Sequence, residues 1–254
     1  MDKRKTKKIK KKEINVYFPI DNQKGIVKRS FVEVKTDYHK YREELRNDFW
    51  FSCAYCSITE VECCGIGFHI DHYLPKSSNP HLVNKYSNLM YSCQKCNSLK
   101  GSWEPNEIAI DKGYRVIKID EEDPRDFFEV AGNELVAINE TGNFNIELLE
   151  LNRDSLKKIR EIREVYYSAK EYIGYGIRKI NRMSIDELNK QTRFQFNSIK
   201  KQINNYNERL ELLTEEVLKN LARSPLLDEE KKRKEKTEKR RKYLKEIKAI
   251  CYEI

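Results

Sequence analysis

Four cysteines in two Cys-x-x-Cys pairs, Cys53 with Cys56 and Cys93 with Cys96, bracket a stretch that carries Asp71, His72 and Asn88, and Asn97 directly follows the last of them. Each pair can hand two thiolates to a tetrahedral zinc ion, and two short knuckles fix four ligands at lower entropic cost than scattered side chains. Cys63 and Cys64 lie between the knuckles and could compete as ligands, but adjacent cysteines without a second knuckle are the poorer choice. Cys251 reads as a packed or free thiol. The residues enclosed by the zinc loop are the types that hydrolyse a phosphodiester with one hard cation.

In the run from Phe68 to Leu74, a strand period of two puts Ile70 and His72 on one face and His69 and Asp71 on the other. That divergence suits Asp71 as an oxygen ligand for catalytic Mg2+ or Mn2+, and His72 as the general base that takes a proton from the attacking water. Asn97 opens a short helix and can offer its side-chain carbonyl as a second ligand, with water and phosphate oxygens completing an octahedron. Asn88 reads as orienting the loop that carries His72 rather than touching metal. Lys76 and Lys100 are candidate phosphate contacts, against the general tendency of lysines to be solvated surface. His69 stays open between a third metal contact and a structural role, and His39 and His81 have no comparable context.

The elements around this stretch follow from periodicity. Residues 1–13 form a basic arm, and the β-branched and aromatic runs 14–18 and 25–34, separated by Asp21-Asn22, predict a hairpin. Tyr38, Tyr41, Leu45 and Phe49 predict an amphipathic helix leading to Cys53. After Gly101, residues 113–119 and 134–138 read as strands of a small flanking sheet, followed by a turn at Thr141-Gly142. From Asn152 the spacing becomes helical, with Leu156, Ile159, Ile162, Tyr166, Ala169 and Ile173 on one stripe that Gly174 and Gly176 weaken. Ser184 and Glu187 form a capping-box pattern before a second stripe from Phe196 to Val217. Two such stripes predict an antiparallel helical hairpin, with homo-oligomerisation or docking on a partner protein as the competing use. Ser224-Pro225 interrupts the pattern, and the charge run 229–245 reads as a solvated helix face, with a phosphate-binding tail as the lesser reading. The regions are therefore 1–13, 14–150 around the cysteines, and a helical 151–254.

With 36% charged residues and a net charge of +9 in 254 residues, the chain reads as a soluble basic protein whose partner is a polyanion, DNA first and RNA second. An anionic membrane is the weaker reading. The basic N-terminus leads into no long apolar core, so neither a signal peptide nor a transmembrane span is expected, and the location expected is the cytoplasm. Seven cysteines, four of them in paired spacing, point in a reducing compartment to metal rather than disulfides.

Taken together, Cys53-Ala54-Tyr55-Cys56, Asp71-His72-Tyr73-Leu74-Pro75, Asn88-Leu89 and the run from Cys93 through Asn97 and Lys100 to Gly101 resemble the HNH endonucleases of the ββα-metal superfamily, in the variant with a four-cysteine zinc. The match covers about a fifth of the chain. The resemblance implies an α+β fold whose core is a β-hairpin followed by a helix gripping one divalent ion. It also implies His72 as base, Asp71 and Asn97 as metal ligands, Asn88 as loop-positioning residue and the four cysteines as zinc ligands. Asn97 stands in place of the final histidine that gives the family its name, a common variant that leaves the metal preference open. The spacing and the following Leu151-Asn152-Arg153 helix are similar to stand-alone HNH proteins that work beside an ATPase in Septu-type phage-defence pairs, which implies an ATPase partner on the C-terminal helices. The expected function is DNA hydrolysis. A non-catalytic zinc module would have no use for Asp71, His72 and Asn97 together, and an RNA-cleaving toxin remains the third reading.

Overall fold

The structure, a computed structural model, describes residues 27–60, 62–63, 67–180, 190–221 and 230–252. The basic arm and the first run of the expected N-terminal hairpin lie outside these residues. Of the second run, residues 27–34 carry no regular secondary structure, which corrects the strand expectation there. They are fastened by single anchors instead of a ladder. Val27 is buried and donates its N–H to Ile119 O at 2.8 Å, Arg29 pairs with Asp120 at 2.6 Å, and the Ser30 N–H bonds Asp48 at 2.8 Å.

Asp37 caps a 3-10 turn over Tyr38–Tyr41 by accepting from the His39 N–H, and the turn runs on into α1 (Arg42–Asp48). Tyr41, Leu45 and Phe49, four residues apart, are its buried face. Each contributes about 1.5–3 kcal/mol by leaving water. The chain then turns through the first cysteine pair into β1 (Phe68–His72), which pairs antiparallel with β2 (Leu89–Cys93) in the register Phe68↔Cys93 to His72↔Leu89. From Cys93 the chain enters α2 (Gln94–Lys100) without a loop, so the second cysteine pair straddles the strand-to-helix junction. Gly101, at φ +55°, ends that helix in a conformation that side chains disfavour.

Beyond α2 come α3 (Glu107–Asp111), the hairpin of β3 (Phe128–Ala131) and β4 (Glu134–Ala137), and α4 (Glu140–Leu148). Residues 113–119 are not a strand. A single side chain, Asn145 of α4, takes the place of a neighbouring strand. Its Oδ1 accepts from the Ile117 N–H at 3.1 Å and its Nδ2 donates to Arg115 O at 2.9 Å. Thr141-Gly142 is not a turn either, since both residues lie in α4, whose Asn139 cap accepts from the Gly142 N–H at 2.9 Å. The glycine is required by close approach, because a Cβ there would meet Phe127 O at 2.2 Å.

Two long helices follow, α5 (Asp154–Ile180) and α6 (Lys190–Leu221), packed on each other as the two seams predict. The capping-box residues Ser184 and Glu187 fall outside the described residues. Helix α5 runs through Gly174 and Gly176 unbroken. At Gly176 a Cβ would meet Ile203 Cδ1 at 2.6 Å, so the missing side chain lets α6 approach. The charge run falls largely in α7 (Glu230–Tyr252), where its described residues 234–245 are exposed or half-buried, and the helix packs back on the protein at Arg240 and past the end of the run. Ile247 and Cys251 are buried, Asn106 Nδ2 donates to Cys251 O at 2.7 Å, and Arg240 Nε donates to Leu148 O at 2.8 Å. The architecture is thus α+β, with two two-stranded sheets among helices in the described residues. No helix among the described residues is long and apolar enough to cross a membrane.

Candidate metal centre and catalytic cleft

The sulfur atoms of Cys53, Cys56, Cys93 and Cys96 all lie within 4.8 Å of one another, and all four residues are buried. Cys56 Sγ and Cys93 Sγ are 3.8 Å apart. Zn–S bonds of about 2.3 Å give a tetrahedral edge of about 3.8 Å, so the donor set fits zinc in both chemistry and size. The first knuckle is a tight turn. The Tyr55 N–H points at Cys53 Sγ at 3.4 Å, and Ser57, at φ +55°, donates its N–H to Cys53 O at 2.9 Å. Ala54 N–H bonds Tyr91 O at 2.7 Å, which stitches this knuckle to β2 and brings the two pairs together. Burial discourages a thiolate at Cys56, but the neighbouring Cys53, Cys93 and Cys96 thiols and Arg153 outweigh it and hold its pKa well below that of a free thiol. Cys63 is buried beside the group without joining it, and burial followed by the Cys93 and Cys56 charges pushes its thiol up, so it packs as S–H. Cys64 lies outside the described residues.

Next to the four-cysteine group, Asp71, His72 and Asn97 line one cleft of about 530 Å³, with His69, Lys76 and Arg42 at its exposed margin. The tips of Asp71 and His72 diverge, yet both form its wall. Asp71 turns toward the knuckle and α2, where Oδ2 accepts from the Tyr55 hydroxyl and pairs with Lys100 Nζ at 3.1 Å. Oδ1 is less engaged, with Lys100 Nζ at 3.5 Å. His72 turns the other way, and its Nε2 lies 3.0 Å from Val83 O. A carbonyl only accepts, so Nε2 carries the proton and Nδ1 of the neutral ring keeps its lone pair. Burial holds the imidazole pKa below its ordinary value of 6.5, with the Val83 carbonyl and Asp71 opposing the shift. Asn88 lies behind the cleft and closes the loop that presents Val83. Its Oδ1 accepts from the Leu74 N–H at 2.9 Å and its Nδ2 donates to Leu74 O at 3.1 Å.

Residues 53–102 match the family model described as HNH endonuclease. This segment belongs to the HNH endonuclease family. The chain is also similar to the Septu protein PtuB of Bacillus thuringiensis, at 34% identity over 58 residues, which is 23% of this chain and 22% of that protein. No solved structure matches.

Within the HNH domain, sequence reasoning misplaced one residue and missed two contacts. Lys100 is not at the surface to meet a phosphate. Its ammonium is fully buried, bonded to His72 O at 2.7 Å and paired with Asp71, because three residues past Asn97 it lies on the inward face of α2. Helical spacing from Cys96 and Asn97 carried that signal. Tyr55, inside the first knuckle, ties the thiolate group to Asp71, and the Val83 carbonyl selects the His72 tautomer. Neither has a local sequence signature. His39 also lines the cleft, whereas His81 is exposed away from it.

Lys100→Met would leave the Asp71 carboxylate buried with a hydroxyl as its remaining partner. Breaking one side of a buried pair costs about 3–5 kcal/mol. Denaturant midpoints should fall accordingly and recover in the Lys100→Met, Asp71→Asn double variant, where the orphaned charge is gone. An unchanged midpoint in the single variant would show that the pair contributes nothing.

Proposed function

We propose that the HNH domain is a metal-dependent endonuclease that hydrolyses DNA phosphodiester bonds, with zinc on the four cysteines as a structural ion. The observation that carries this reading is the pairing, in one cleft, of a less engaged Asp71 Oδ1 and Asn97 with a His72 ring whose Nδ1 lone pair is kept available by the Val83 carbonyl. Asp71 and Asn97 would hold Mg2+ or Mn2+. Bound there, such a cation offsets the charge that builds on the phosphate and leaving oxygen. His72 Nδ1 takes the proton of the attacking water, and Asn88 keeps the loop closed so that Val83 stays in register with the imidazole. Lys76 and Arg42, at the exposed margin, would meet the phosphate backbone.

The regions 1–13, 14–150 and 151–254 then act as a basic arm, a nuclease domain and a helical region, with α7 folded back onto the second. Likeness to the Septu protein PtuB supports a role in bacterial anti-phage defence. In that role the protein would act in the cytoplasm, with an ATPase partner docking on the C-terminal helices.

Cation binding is tested by titrating Mn2+ into full-length protein and following the free-ion electron paramagnetic resonance signal. Asp71→Asn and Asn97→Ala should each weaken binding at least about tenfold relative to wild type. Binding unaffected by both substitutions would remove the proposed cation site. The pH dependence gives a second check. Because burial disfavours the imidazolium, the base form persists to lower pH than in a free histidine, and the acidic limb of kcat/KM should be centred below 6.5. A limb centred above 7 would take His72 out of the base role.

A further inference from the structure

Beneath the four-cysteine site lies an arginine that the reaction does not use. Arg153, at 5% exposure, has no carboxylate partner among the described residues. Its Nη1 donates to Leu149 O at 3.1 Å, and its Nη2 lies 3.5 Å from Cys56 Sγ and 3.9 Å from Cys96 Sγ. A guanidinium cannot shed its proton to escape burial, so a buried one needs an anion. The anions within reach are the sulfurs, and four thiolates around one Zn2+ carry a net charge of two minus.

We propose that Arg153 is the counter-ion of the four-thiolate site, its N–H groups bonding the Cys56 and Cys96 sulfurs, drawing charge from them and slowing the release of zinc. The assignment rests on the zinc reading above. It has a structural consequence as well. Arg153 O accepts from the Leu156 and Lys157 N–H groups at 3.0 and 3.1 Å, so the residue that meets the thiolates also opens α5. The metal centre thereby sets where the helical hairpin leaves the HNH domain.

The test uses full-length wild type, Arg153→Met and Arg153→Lys, each isolated with zinc and separately loaded with Co2+. Arg153→Met should fold and bind cobalt, but its thiolate-to-cobalt charge-transfer band should move to longer wavelength, because sulfurs without N–H donors give up electrons more easily. Transfer of zinc to a chromophoric chelator should be roughly 10–100-fold faster, the range found when outer-shell partners of metal ligands are removed. Arg153→Lys, which keeps the charge but presents fewer donors, should fall between. A residue that only fills space would leave the band where it is. Arg153→Met with the wild-type band and release rate overturns the proposal. If that variant fails to fold, Arg153→Lys decides, and a wild-type band and rate there overturn it equally. Wild-type protein isolated without zinc and unable to bind cobalt would sink the zinc reading itself, which the metal analysis reports separately.

Discussion

His72→Ala lowers nucleic-acid hydrolysis roughly 10²–10⁴-fold, the contribution of a positioned general base. The loss should appear in single-turnover cleavage, with Mn2+ affinity and zinc content held at wild-type values, since His72 binds neither ion in this account. Folding should also survive. Among the described residues the imidazole makes one hydrogen bond, to Val83 O, and one edge contact, to Tyr38 at 4.7 Å between ring centroids, so its removal should cost some stability from a buried site without unfolding the domain. A variant that folds, binds cation and still cleaves within about threefold of wild type would deny His72 the role of base.

The second large effect falls on folding. Cys93 closes β2 and Cys96 sits one turn later in α2, so the zinc would join strand, helix and first knuckle at one point. Structural zinc supplies about 10–16 kcal/mol to small metal-dependent folds. Domains are stable by only about 5–15 kcal/mol. Losing the ion therefore removes the whole margin, and Cys93→Ala should lack a cooperative thermal transition by circular dichroism and carry no zinc. Cys63→Ala is the control. Its thiol is buried but outside the group of four, so it should keep zinc and lose no more than a packed side chain costs, about 1–2 kcal/mol. Equal damage from both substitutions would mean that the cysteines act by packing rather than through metal.

What could be read from the chain beforehand divides along physical lines. The two knuckles, the strand through Asp71 and His72, helix α1 and the seams of α5 and α6 rest on short-range spacing, and spacing is what sequence states directly. The failures are places where a distant group overrides local preference. Residues 113–119 have strand composition, yet Asn145, about thirty residues on, takes up their backbone groups. Thr141-Gly142 has turn composition, yet the glycine answers to the approach of Phe127 O inside a capped helix. In α7, Tyr243 inside the charge run and Ile247 and Cys251 just beyond it recur every four residues, a thin stripe that the neighbouring lysines conceal. At the cleft, the residue types and their loop were legible, and helical spacing from Cys96 marked Lys100 as inward-facing, whereas Tyr55 and the Val83 carbonyl reach Asp71 and His72 through tertiary contacts alone.

The central claim, a cation-dependent nuclease, is tested most directly by incubating the purified full-length protein with supercoiled plasmid and with a structured RNA, each in Mg2+, in Mn2+ and in excess chelator. The plasmid is expected to convert to open-circular or linear DNA with either cation and to stay supercoiled with chelator. Cutting that persists in chelator, or intact plasmid with both cations, would contradict that claim, and cleavage confined to the RNA would overturn the substrate assignment.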